Sequence, residues 1–176
     1  MKNRILMIIT SLFFLLSINT FAQTAGATAE AHAYATIITP ITLEKTADMH
    51  FGNIVAGTST GTVVLVINDT RTSTGGVILP TATPGTITSA KFKTSGLANA
   101  TYTITLPTLI NISKNESNDN SNNMVVNSFN SSPAITQGLL NASGTQDIYV
   151  GATLNVGANQ DAGEYEGTFD VTVCYN

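Results

Sequence analysis

The chain has 176 residues, of which only 10% are charged, with one cysteine, no tryptophan and a formal net charge of −4. That length suits one domain with a real core, and a single cysteine excludes an intramolecular disulfide. The acidic balance excludes the basic footprint by which nucleic acid or anionic lipid would be bound.

Residues 1–22 read as an export signal. Lys2 and Arg4 form a basic start. Ile5 to Ile18 form an apolar stretch broken by Thr10, Ser11 and Ser17, and Asn19-Thr20-Phe21-Ala22 ends in a small-residue exit. That order is the one export requires. The stretch is shorter than the ~20 apolar residues that cross a bilayer as a helix, so a cleaved signal peptide is expected, with Gln23 as the first mature residue. No cysteine follows the apolar core, which argues against a lipid anchor, and nothing later in the chain reads as membrane-spanning. The product is expected to be exported: transiently periplasmic, then extracellular or at the cell surface. After cleavage, Lys45, Arg71, Lys91, Lys93 and Lys114 face eleven acidic residues, a net charge of −6.

Residues 23–35 form an extended segment of strict alternation. Odd positions carry Ala25, Ala27, Ala29, Ala31, Ala33 and Ala35, continuing through Ile37, Thr39, Ile41 and Leu43. The run is longer than an ordinary strand of ~5–6 residues. Its second half, from Tyr34, is predicted to be the first strand of the domain. Its first half has one small apolar edge, able to add itself to another sheet; a flexible post-signal linker is the alternative. Alanine burial alone does not offset the entropy of ordering such a segment, so donation requires main-chain hydrogen bonds from a sheet that lacks a strand.

The mature domain, residues 36–176, reads as β throughout. β-branched residues dominate Gly61 to Asn68, Thr101 to Leu106 and Ile148 to Val156, as strands prefer. Turn residues separate them at Asn68-Asp69, Gly75-Gly76, Pro84-Gly85, Gly96, Asn99, Gly144 and Gly157. Asn111 to Asn123 is rich in Asn and Ser and reads as a surface loop. In the last segment Tyr165, Gly167, Phe169, Val171, Val173 and Tyr175 share one face, and Glu166, Thr168, Asp170, Thr172, Cys174 and Asn176 the other. Many short strands separated by turns predict an all-β sandwich of seven to nine strands.

Little in the chain signals chemistry. His32 and His50 have no Cys-x-x-Cys, His-x-x-x-His or Glu-rich spacing around them and read as surface residues rather than metal ligands. No nucleophile elbow of the Gly-x-Ser-x-Gly kind is expected. Glu164 and Glu166 lie roughly 7 Å apart on one strand face at ~3.3 Å per residue, a solvated pair rather than two carboxylates facing across a cleft. Cys174 reads as a strand residue without a role. No enzyme, cofactor, metal or nucleic-acid partner is expected.

Two stretches carry a family resemblance. Ile41-Thr42-Leu43-Glu44-Lys45-Thr46 leads into Met49-His50-Phe51-Gly52-Asn53-Ile54-Val55-Ala56-Gly57 and Gly61-Thr62-Val63. Val150-Gly151-Ala152-Thr153-Leu154 leads through Gly157-Ala158-Asn159-Gln160 to Gly163-Glu164-Tyr165-Glu166-Gly167-Thr168-Phe169-Asp170-Val171-Thr172-Val173-Cys174-Tyr175-Asn176. Together they resemble a secreted bacterial domain-of-unknown-function family, which is similar in turn to the spore coat protein U and archaic chaperone–usher pilin group. The resemblance implies an immunoglobulin-like, pilin-like sandwich at the cell surface. It implies Tyr165, Phe169, Val171, Val173 and Tyr175 as the C-terminal pairing strand offered to a periplasmic chaperone. It also implies Ala25, Ala27, Ala29, Ala31, Ala33, Ala35 and Ile37 as a donor strand completing a neighbouring subunit. Two functional readings stay open: a structural or adhesive fimbrial subunit that pairs with itself or related subunits, and a monomeric secreted module binding, for example, glycans.

Overall fold

The computed structural model describes residues 26–114 and 123–176. Within them the chain is all-β: β1 (Thr42–Ala47), β2 (Val55–Val66), β3 (Thr70–Ile78), β4 (Ala90–Ser95), β5 (Thr101–Thr105), β6 (Leu109–Lys114), β7 (Asn123–Ser132), β8 (Gly138–Leu139), β9 (Thr145–Val156), β10 (Tyr165–Glu166) and β11 (Thr172–Tyr175). The compact unit containing them is Ile37–Asn176. Residues 26–36 belong to a separate unit and carry no assigned strand.

All pairings are antiparallel, and β9 organises them. Its buried apolar side chains Ile148, Val150, Ala152, Leu154 and Val156 fall at every second position, the period of a strand with one face inward. Along one edge β9 pairs first with β4 (Ile148↔Phe92) and then with β2 (Leu154↔Val63). Its other edge pairs with β7 (Leu154↔Val126). The eight-stranded sheet runs β1-β4-β9-β7-β6-β10, with β2 and β3 attached through β9. A second sheet, β11-β5-β8, has three strands. Two sheets around apolar clusters are consistent with a β-sandwich.

The core has two halves. Val63, Val77, Met124, Val126, Ala152, Leu154 and Val156 cluster inside the large sheet. Ala90, Phe92, Tyr102, Ile104, Leu140, Ile148 and Val150 join β4 and β9 to the small sheet. Met49 and Phe129 pack against both halves. Each fully buried Leu or Ile contributes about 1.5–3 kcal/mol.

Four expectations are corrected. Among the described residues there are eleven strands, two more than the upper expectation, because β8 and β10 are separate pairings of two residues each. The first strand begins at Thr42, not Tyr34; alternation persists ahead of it, but a strand also needs a partner, and β4 pairs only from Thr42 onward. Gly75-Gly76 is not a turn but lies inside β3, where the register with β2 jumps from Ala56↔Val77 to Gly61↔Gly75. Gly75 has φ 67°, and a Cβ there would lie 2.8 Å from the Gly61 Cα, so the bulge requires glycine. Asn111–Lys114 belongs to β6; residues 115–122 of the expected loop, and the expected signal peptide, lie outside the described residues.

Candidate functional site at the edges of β1 and β11

The C-terminal strand β11 pairs with β5, from Thr172↔Thr105 to Tyr175↔Tyr102. Its other edge has no strand partner among the described residues. β1 likewise ends the large sheet. An open sheet edge is a row of unpaired N–H and C=O groups, a template for another strand.

The side chains lining these two edges are apolar and only half covered. Ile41, Leu43, Phe169, Val171, Val173 and Tyr175 all pack against the same core half, and all are intermediate in burial. From Tyr165 to Asn176 burial alternates at every position except Gly167, which is exposed. Tyr175 ties β11 to the start of β1: its hydroxyl donates to the Thr39 carbonyl (2.9 Å) and accepts the Leu97 N–H (2.6 Å). Gly96 lies against that hydroxyl, and a Cβ there would have no room.

The segment expected as one pairing strand is two short ones. Tyr165, in β10, packs on the large-sheet core half and donates its hydroxyl to the Asp161 carbonyl (2.9 Å). Gly167 to Val171 has no assigned strand, and pairing resumes at Thr172 with the other sheet. The break is where the chain crosses between sheets. Phe169 fills the crossing and meets Phe129 with ring centroids 5.2 Å apart. Phe169, Val171, Val173 and Tyr175 are thus brought together, and Tyr165 is set apart from them.

Of the donor candidates, Ala25 lies outside the described residues. Ala27, Ala29, Ala31, Ala33 and Ala35 are exposed and in no strand. Ile37 is 98% exposed and Tyr34 90%. Sequence reasoning missed Thr39 and Leu97 as hydrogen-bond partners of Tyr175, because contacts across more than seventy residues leave no local signal.

The Phe51-Gly52 motif is a structural latch. Arg71 donates Nη1 to the Phe51 carbonyl and Nη2 to the Pro84 carbonyl (3.0 Å), while the Asn53 N–H reaches Pro84 O (2.8 Å) and Asn53 Nδ2 reaches Thr83 O (3.0 Å). Gly52 has φ 72° and no room for a Cβ between Pro84 and Arg71. Partial burial lowers the Arg71 pKa from its ordinary value.

A second polar cluster fixes the β2–β3 turn to β4. Asp69, at φ 62°, accepts Lys91 Nζ (2.7 Å) and the Ser89 N–H (2.7 Å), with Ser89 Oγ at 2.8 Å. The Lys91 bond foremost, then the Ser89 bonds, hold its carboxyl down at about 2. Tyr102 is fully buried, with its hydroxyl on Gln146 Oε1 (2.7 Å), and burial pushes its pKa up to about 12.

Among the described residues, no three His, Cys, Asp or Glu side chains converge as metal ligands. Glu164 and Glu166 are exposed. The expectation of no Gly-x-Ser-x-Gly motif is corrected: Gly57-Thr58-Ser59-Thr60-Gly61 has that spacing, and it lies within β2. No helix follows it, whereas a nucleophile elbow joins a strand to one. Cys174 is exposed on β11, opposite Thr103. No helix among the described residues is long and apolar enough to cross a membrane.

No curated protein matches the chain. The profile of one family, described as domain of unknown function DUF4402, matches residues 41–175. That span begins one residue before β1 and ends with β11. It contains the first resembling stretch, all but the last residue of the second, the Arg71 latch and both open edges, and the chain therefore belongs to the DUF4402 family.

Proposed function

We propose that the chain is a non-enzymatic structural or adhesive subunit of the cell surface, exported and assembled by strand donation between copies. In this reading the domain is an immunoglobulin-like, pilin-like sandwich. The supporting observation is the pair of open edges on β1 and β11, flanking one half-covered apolar set: Ile41, Leu43, Val171, Val173 and Tyr175. A strand added at either free edge meets unpaired main-chain groups beside an apolar set, as β-augmentation requires. Before assembly the same edge is what a periplasmic chaperone would cover. The donor is the alternating segment from Ala25 to Ile37 of a neighbouring copy, whose exposed Tyr34 and Ile37 add larger apolar side chains to its alanines.

A synthetic peptide of residues 25–37 tests this directly. It is expected to bind saturably to a chain that begins at Tyr34 and to raise its melting temperature by mass action. A peptide with Ala29 and Ala33 both changed to Asp is expected to do neither. Equal behaviour of the two peptides, or no binding by either, would sink strand donation.

A further inference from the structure

We infer that the chain carries a shallow binding groove for a neutral oligosaccharide where β5–β6 and β10–β11 cross between the sheets. The two connections run side by side. Their ladders close at Glu166↔Ser113 and again at Thr172↔Thr105. Between these points they part, leaving a depression floored by Leu106, Ile110 and Phe169 and rimmed by Thr105, Thr168, Asp170 and Thr172. Across Pro107 lies a second depression, with Asn127, Ser128 and Thr108 around Leu109 and Phe129. Pro107 borders both, and the Phe129–Phe169 ring pair spans from one to the other.

The chemistry of the lining selects the ligand class. Pyranose rings present apolar C–H faces and hydroxyl edges, so a site for them combines an apolar floor with a few placed polar groups. The rim here supplies hydroxyls, one amide and one carboxylate, and contains no cation. Asp170 makes no hydrogen bond or ion pair among the described residues, so its oxygens are available to bridge two sugar hydroxyls. With no Lys or Arg in the lining and an acidic chain around it, an anionic sugar is disfavoured. Ser128 holds φ 52° at the bulge where β7 slips register against β9 between Asn127 and Asn130, a non-glycine residue in a costly conformation that turns its hydroxyl-bearing segment out at the groove. The groove lies on the side of Gly167–Val171 facing β5 and β6, and it shares Phe169 with the apolar set beside the open edge of β11.

Titration of the isotope-labelled protein with cellohexaose, mannohexaose and chitohexaose, followed by amide NMR, tests the site, with sialyllactose as the anionic control. At least one neutral hexasaccharide is expected to shift Thr108, Ser128, Thr168 and Asp170 saturably, and sialyllactose is not. Asp170→Asn is expected to weaken that binding about tenfold or more, the loss of a hydrogen bond to a charged group. Its melting temperature is expected to stay unchanged, and Thr168→Ala should act in the same direction. The inference is overturned by no saturable shift from any of the three at millimolar concentration. Shifts confined to another surface, or undiminished binding by Asp170→Asn, would overturn it equally.

Discussion

Among the described residues, Asp69 and Tyr102 are the two side chains whose ionisation is most altered by folding, and they act at opposite ends of the pH range. The Asp69 carboxyl, at about 2, lies below its ordinary 3.8. The folded state therefore binds that proton less readily than the unfolded chain, and the stabilisation is complete above about pH 4 and is lost as pH falls towards 2. Because the pair with Lys91 is about one-third exposed, the effect is that of a screened surface interaction, at most about 1 kcal/mol. Asp69→Asn is expected to flatten the acid limb of a melting-temperature profile, while a profile identical to the parent's would contradict this account. Tyr102 works the other way. Its folded pKa of about 12 lies above the ordinary 10.0, so stability is full below pH 10 and falls as pH rises towards 12, and Tyr102→Phe is expected to remove that alkaline loss. The same ring explains Gly138: a Cβ there would stand 2.6 Å from the Tyr102 ring. Gly138→Ala is therefore expected to cost about 1–3 kcal/mol by overpacking, measured by urea denaturation.

At the scale of elements, β9 and β11 mark the extremes of order. β9 is paired along both edges and buries alternate residues, whereas β11 has four residues and one open edge. Hydrogen exchange is expected to be slowest at Ile148–Leu154 and orders of magnitude faster in Thr172–Tyr175, since local opening follows burial and pairing. Tyr175→Phe, which removes two hydrogen bonds, is expected to speed exchange in β11 further and to cost about 1–3 kcal/mol; unchanged exchange there would mean the tether is idle. The elements also show where sequence sufficed. Alternation from Tyr165 to Tyr175 was legible because period two is local, and burial in the fold follows it. The division of that segment into β10 and β11 was not legible, since it depends on partners in β6 and β5. Gly75-Gly76 misled for a related reason: a glycine pair serves a turn or a close approach equally, and the approaching strand is set by β2 some fourteen residues away. The edge of β1 was invisible, because an unpaired edge is a property of the sheet rather than of its own residues.

For the whole molecule, the open edges bring the separate features into one account. With one cysteine the chain has no internal disulfide, and in the proposed reading its half-covered apolar set at β1 and β11 is completed by one more strand. In that reading the alternating segment ahead of the domain supplies the pattern that strand needs, and the groove at the sheet crossing adjoins the same set through Phe169. The central claim is that copies complete one another through residues 25–37. The measurement is light scattering and an unboiled denaturing gel on the chain from Gln23, beside a version beginning at Tyr34. A ladder of multimers in the longer chain that disappears in the shorter one is the predicted result. A monomer in both, with the same melting temperature, would contradict the claim.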